Sequence, residues 1–174
     1  MRVIGGQARG RALRAKLPVS VRPTTDFARE AIFSMLESRG GVEGAVVADL
    51  FCGSGAMGIE ALSRGAARVY FVDADPACLA AARANAGSVQ LGEGAVFVRA
   101  ALPGWTPPEP LDLVLADPPY GPLDVAALLA AVPASRAVIE NDRFAEAPAG
   151  WAIAKHKRYG TTLVTMLERG ATTS

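Results

Sequence analysis

One stretch constrains the fold more than any other: Val46-Val47-Ala48-Asp49-Leu50-Phe51-Cys52-Gly53-Ser54-Gly55-Ala56-Met57-Gly58. A short apolar run ends in a carboxylate, turns through glycines spaced GxGxxG (Gly53, Gly55, Gly58) and enters Ile59-Glu60-Ala61-Leu62-Ser63, which reads as helix. Strand, tight loop and helix start, in that order, form the first half of a strand-helix-strand unit, and such a loop brings backbone N–H groups close to a nucleotide-like ligand. A second apolar strand, Leu113-Val114-Leu115-Ala116, ends in the rigid corner Asp117-Pro118-Pro119-Tyr120.

The rest of the chain alternates in the same way. Strands are expected at residues 45–50, 69–72, 96–98, 111–116, 137–140, 151–154 and 161–167, with helices at 57–64, 77–86 and 126–132 between them. Upstream, Phe27, Ala31, Ile32, Met35 and Leu36 share a face at helical spacing; Thr24 or Thr25 is the N-cap, Asp26 sits in the first turn and Gly40-Gly41 ends the helix. Asp75-Pro76 has the form of a cap and first-turn pair for the helix at 77–86. This pattern specifies an α/β chain with a seven-stranded, mostly parallel sheet, helices on both faces and an antiparallel hairpin of the last two strands at one edge. With 174 residues, 51% of them apolar, one core is expected. The domain spans residues 22–169, with a basic N-terminal arm or hairpin over 1–21 and a frayed tail over 170–174.

Net charge is only +1, but residues 1–30 carry seven basic side chains against two acidic ones, +5, leaving −4 on the remainder. A basic arm on a mildly acidic body suits a polyanion met from one side, and equally a solubilising terminus. Two cysteines, Cys52 and Cys78, make neither a disulfide framework nor a zinc ligand set. No apolar run approaches the roughly 20 residues of a membrane helix, and the opening lacks the apolar core of a leader, so a cytoplasmic protein with no membrane partner is expected.

In an open parallel sheet the ligand lies beyond the carboxyl ends of the strands, where Asp49, Asp73 and Asp117 stand. Asp73 follows Gly53 by 20 residues, the place of the acid that binds ribose hydroxyls in dinucleotide enzymes, so an NAD(P)-dependent oxidoreductase is a competing reading. The corner favours another chemistry. Pro118 and Pro119 bring no N–H, so the corner offers acceptors, the Asp117 carboxylate and the Pro118 carbonyl, to an amine that holds out two N–H groups. Tyr120 adds a face on which a base can stack.

Asp117 to Tyr120 resembles the motif of S-adenosylmethionine-dependent amino methyltransferases, and Asp49 to Gly58 resembles their cofactor loop. Arg2-Val3-Ile4-Gly5-Gly6, Arg22-Pro23-Thr24-Thr25-Asp26 with Arg29-Glu30, Glu60-Ala61-Leu62-Ser63-Arg64-Gly65-Ala66 and Lys157-Arg158-Tyr159-Gly160 narrow the resemblance to the bacterial 16S rRNA guanine-N2 methyltransferases, which act on the guanine known as 966. The resemblance implies a Rossmann-like methyltransferase fold, S-adenosylmethionine as cofactor, and 16S rRNA or the assembling small subunit as partner of a monomer. It implies that Asp49 and the loop Gly53, Ser54 and Gly55 meet the methionine end of the cofactor, that Asp73 takes the ribose hydroxyls, that Phe51 and Ala74 also bind the cofactor, and that Thr24, Thr25 and Arg22 close over it. Asp117, Pro118 and Tyr120 would be the catalytic corner, with Asp117 also against the cofactor. Arg9, Arg11, Arg14, Arg22, Lys155, Lys157 and Arg158 would bind RNA phosphates. Two positions depart from the family pattern: Cys52 stands where alanine is usual, and Arg99-Ala100-Ala101 where an Asp or Asn often meets adenine, which leaves adenine to backbone and apolar contacts around Ala100. Competing readings are a DNA adenine-N6 or protein glutamine methyltransferase sharing the corner, and a non-catalytic RNA-binding assembly factor.

Overall fold

The computed structural model describes residues 1–15, 17, 25–119 and 121–170. Lys16, Arg22, Thr24, Tyr120 and residues 171–174 lie outside the described residues. In chain order the elements are α1 (Asp26–Glu37), β1 (Val46–Leu50), α2 (Ala56–Ser63), β2 (Arg68–Asp73), α3 (Pro76–Ser88), β3 (Ala95–Arg99), β4 (Leu111–Ala116), α4 (Val125–Ala131), β5 (Ala134–Asn141), β6 (Trp151–Tyr159) and β7 (Thr162–Arg169). The strands form one sheet in the order β3-β2-β1-β4-β5-β7-β6. Pairings within β3-β2-β1-β4-β5 are parallel, whereas β7 pairs antiparallel with both β5 and β6. This is the α/β architecture expected from the alternating pattern, with the edge hairpin in place.

The two faces are covered unequally. On one, Ile32, Phe33 and Leu36 of α1, Met57 and Ile59 of α2 and Leu79 and Ala82 of α3 pack on Val47, Phe71, Leu115, Val138 and Val164. On the other, Leu128 and Leu129 of the short α4 share the cover with Trp105 and Ala145 from loops. Thr25 caps α1, its Oγ1 accepting the Ala28 N–H at 3.2 Å.

All eight residues of α2 are buried, although only one side of it meets the sheet. The outer side is covered by the N-terminal segment, which folds back on itself through an Arg2–Ala12 bridge and buries Val3, Ala8 and Leu13. The Ile4 and Gly5 N–H groups each donate to the buried Glu60 carboxylate at 2.8 Å, and the Ala8 N–H donates to Ser63 Oγ at 3.0 Å. Glu60 also pairs with Arg64 Nε at 2.8 Å and lies 3.8 Å from Nε of the fully buried Arg29. These hydrogen bonds and cations are what make a buried carboxylate tolerable.

Two strand boundaries differ from the sequence expectation by three residues or more. β6 continues through Lys155-His156-Lys157-Arg158 to Tyr159, with a register shift between Ile153 and Lys155, because β7 supplies a ladder that outweighs the polar composition. β5 begins at Ala134 instead of residue 137, and there the Arg136 guanidinium donates to the carbonyls of Arg39 and Gly41.

Candidate active site

The carboxyl ends of β1, β2, β4 and β5 open into one cleft of about 500 Å3. Register decides which side chains reach it. Phe71 pairs with Asp49, Asp49 with Leu115 and Leu115 with Val138, so Asp73, Asp117 and Glu140, each two residues further along its strand, stand on the same sheet face as Asp49. All four carboxyl residues line the cleft.

Asp49 is 3% exposed and accepts the Gly58 N–H at 2.8 Å. Burial pushes its carboxyl well above the usual carboxylate range, and the charges of Asp117 and Asp73 push in the same direction. Asp73 ties the glycine loop to the end of β2: one oxygen accepts the Gly53 N–H at 3.0 Å and the other the Asp75 N–H at 2.9 Å. Each oxygen keeps further acceptor capacity. Asp75 caps α3 through the Ala77 N–H at 2.8 Å, the role its sequence position suggested.

The loop owes its shape to backbone that side chains rarely adopt. Gly55, at φ +75°, caps α2 in the left-handed region, and Phe51 holds φ 58° without being glycine. Non-glycine residues persist in that region only where the surroundings hold them, and Phe51 faces the cleft. Asn85 of α3 holds the loop from behind, donating to the Ser54 carbonyl at 3.0 Å while its Oδ1 accepts the Ala15 N–H.

Of the residues singled out from sequence, Thr25, Asp49, Phe51, Gly53, Ser54, Asp73, Ala74, Ala100, Asp117 and Pro118 line this cleft. Gly55 stands behind it, where an added Cβ would lie 2.9 Å from that of Ala82. Cys52 also lines the cleft, but burial and the nearby Asp49 and Asp73 charges push its thiol far up; burial likewise pushes Cys78 to about 11. Neither is a nucleophile near neutral pH.

The basic residues fall in two places. Arg9, Arg11 and Arg14 are exposed on the N-terminal segment over α2 and α3, and Arg11 Nη1 donates to the carbonyl of Val89, the C-cap of α3, at 2.8 Å. Lys155, Lys157 and Arg158 are exposed on β6, the outermost strand at the other edge of the sheet. The fold does not bring the two groups together.

Sequence reasoning passed over Glu140 and Asn141 at the end of β5, Thr161 in the β6–β7 turn and Thr162 at the start of β7, all of which line the cleft. Ala137-Val138-Ile139-Glu140 repeats the signal that marked Asp49 and Asp117, an apolar run ending in a carboxylate, and would have found Glu140.

YlbH of Bacillus subtilis, which carries a provisional rRNA methyltransferase name, is 42% identical over 99 residues, 57% of this chain and 53% of its own length. The ribosomal RNA small subunit methyltransferase D of Escherichia coli K12 is 36% identical over 121 residues, 69% of this chain and 60% of its own. The chain thus spans between half and two thirds of the length of these curated relatives. A solved Escherichia coli structure, described as the provisional methyltransferase yhhF, superposes with a TM-score of 0.81 at 28% identity over 98% of both chains. The family described as Conserved hypothetical protein 95 matches residues 1–168. With nearly its whole length matched and the sheet order described above, the chain has the Rossmann-like methyltransferase fold and belongs to the Conserved hypothetical protein 95 family.

Proposed function

We propose that the protein transfers a methyl group from S-adenosylmethionine to the exocyclic N2 amine of a guanine in 16S rRNA, the guanine-966 type, working in the cytoplasm on the rRNA or on the assembling small subunit. One observation carries the reading: the corner Asp117-Pro118 opens into the same cleft as the glycine loop and Asp73. The relatives named as rRNA methyltransferases support it.

The cleft suits that donor. Asp73 has acceptor capacity for a vicinal diol, the loop at Gly53 and Ser54 and the buried Asp49 present polar groups for an amino-acid end, and Ala100, Leu102 and Cys78 give apolar wall for a base. When bound, S-adenosylmethionine supplies a methyl group already activated on a sulfonium. Asp117 and the Pro118 carbonyl do the remaining work. The lone pair of a guanine amine is delocalised into the ring; accepting hydrogen bonds from both amine N–H groups draws the nitrogen toward pyramidal geometry and stabilises the positive charge that grows on it during transfer, and the Asp117 carboxylate is assigned the one proton that the methylated amine loses. Tyr120 is assigned the stacking of the extruded base. Arg9, Arg11, Arg14 and Arg22, with Lys155, Lys157 and Arg158, are assigned to phosphates, which position RNA without reading its sequence.

The test is incubation with labelled S-adenosylmethionine and unmodified small-subunit rRNA, with and without ribosomal proteins, followed by nucleoside analysis. Label is expected on guanosine N2, and Asp117→Ala is expected to lower the rate on the order of 10²–10³-fold or more while cofactor affinity stays within a few-fold. Label on DNA adenine or on protein, or a rate that survives Asp117→Ala, overturns the reading.

A further inference from the structure

We infer that Glu140 reads the Watson–Crick edge of the target guanine by taking its N1–H, and so sets guanine apart from purines that lack that proton. The inference rests on the methyl-transfer reading above.

Strand order carries the argument. The glycine loop follows β1 and Asp73 ends β2, so the cofactor half of the cleft lies over β1 and β2. β4, with its corner, is the next strand, and β5 lies on the far side of β4. A base that offers its amine to Asp117 opposite the cofactor therefore enters over β5, where Glu140, Asn141, Thr161 and Thr162 form the wall. Ala116 pairs with Ile139, which makes Asp117 and Glu140 the next neighbours across the two strands, with side chains on one face.

Glu140 is 4% exposed and lines the cleft, yet no hydrogen bond or ion pair joins its carboxyl to another of the described residues. Its oxygens keep acceptor capacity that a ligand in the cleft can use. The charged groups around it are Asp117, Asp49 and the buried Arg29. Burial, reinforced by the two carboxylates and opposed by Arg29, pushes its carboxyl well above the usual range. A protonated carboxyl has one acceptor and one donor side by side. Guanine presents the complement: with N2 at the corner, N1–H donates and O6 accepts. 2-Aminopurine keeps the 2-amine but has a bare N1 and no O6, so it offers the same nucleophile without that complement.

The experiment measures kcat/KM for rRNA fragments carrying guanosine or 2-aminopurine at the methylated position, with wild type, Glu140→Gln and Glu140→Leu, alongside S-adenosylmethionine affinity. Glu140→Leu should reduce the guanine-to-2-aminopurine ratio roughly 10- to 100-fold, the worth of a paired base-edge contact, with cofactor affinity unchanged. Glu140→Gln, whose amide has the same acceptor and donor, should hold the ratio within about threefold. A ratio unmoved by Glu140→Leu, or both substrates falling together, overturns the role of Glu140 and leaves the methyl-transfer reading standing. Should Glu140→Leu fail to fold, Glu140→Asp, which withdraws the carboxyl by one methylene, is read by the same ratio. A wild-type protein that labels neither amine overturns both.

Discussion

Replacing Gly58 by alanine tests whether the glycine loop is held in place by the packing of α2 on β2. In a helix this change ordinarily stabilises by up to about 1 kcal/mol, because alanine has less chain entropy to lose. Here the new Cβ would lie 2.4 Å from Phe71 Cε1 and 2.8 Å from Val69 Cγ1. Phe71 is wholly buried and stacks on Phe97 at 5.0 Å and 15°, with the Arg83 guanidinium over the far ring at 4.4 Å from its centroid. The ring has no room to withdraw, so α2 must shift away from β2. An overlap this deep belongs in the upper part of the overpacking range, about 2–3 kcal/mol, which exceeds the helix gain of up to about 1 kcal/mol and leaves a net loss of about 1–2 kcal/mol. At this chain length that lowers Tm by about 2–8 °C. Gly87, near the end of α3, is the control: nothing lies within 4 Å of its added Cβ, so Gly87→Ala should raise stability by about 0.5–1 kcal/mol. Urea and thermal unfolding of the two variants decide the matter. If Gly58→Ala is as stable as the wild type, or if both alanines destabilise alike, the packing argument is wrong.

Three further outcomes follow from charged groups. Asp49 and Glu140 have folded-state pKa values raised by burial, so above the unfolded values the folded chain holds protons that the unfolded chain has released; their contribution to stability is largest below about pH 4 and declines as pH rises toward the raised values. The urea midpoint should therefore fall between about pH 4.5 and 7.5 by less in Asp49→Asn than in the wild type, and equal slopes would remove Asp49 from the account. Arg9→Ala with Arg14→Ala should weaken RNA binding and reduce the slope of log K against log salt by about 1 for each phosphate no longer neutralised. Arg11→Ala should also lower stability by about 1 kcal/mol, since its guanidinium holds the end of α3; an unchanged salt slope in the double variant would place the RNA elsewhere.

Local pattern carried much of the architecture. The runs at 45–50 and 111–116 are apolar, end in a carboxylate or a proline corner, and lie where the strands lie. Thr25 and Asp75 cap the helices that follow them, because a short acceptor side chain before a helical run satisfies N–H groups only two or three residues away. β6 is the contrary case: Lys155 to Arg158 join the sheet because β7 lies beside them, not because of anything in their own composition.

The cleft divides along the same line. Asp49, Asp73 and Asp117 were legible because each ends an apolar strand, a relation that spans a few residues. That Glu140 faces the same space depends on the pairing of β5 with β4, and the role of Gly58 on the ring of Phe71 across the helix–sheet contact. The basic N-terminal segment likewise gave no sign that it would lie on Glu60 and Ser63, more than fifty residues distant. Periodicity, caps and turns are written into neighbouring residues and so decided the alternating α/β chain and its glycine loop. Register, burial and the pairing of distant charges exist only once the sheet has closed, and it was the closed sheet that put four carboxyl groups into one cleft.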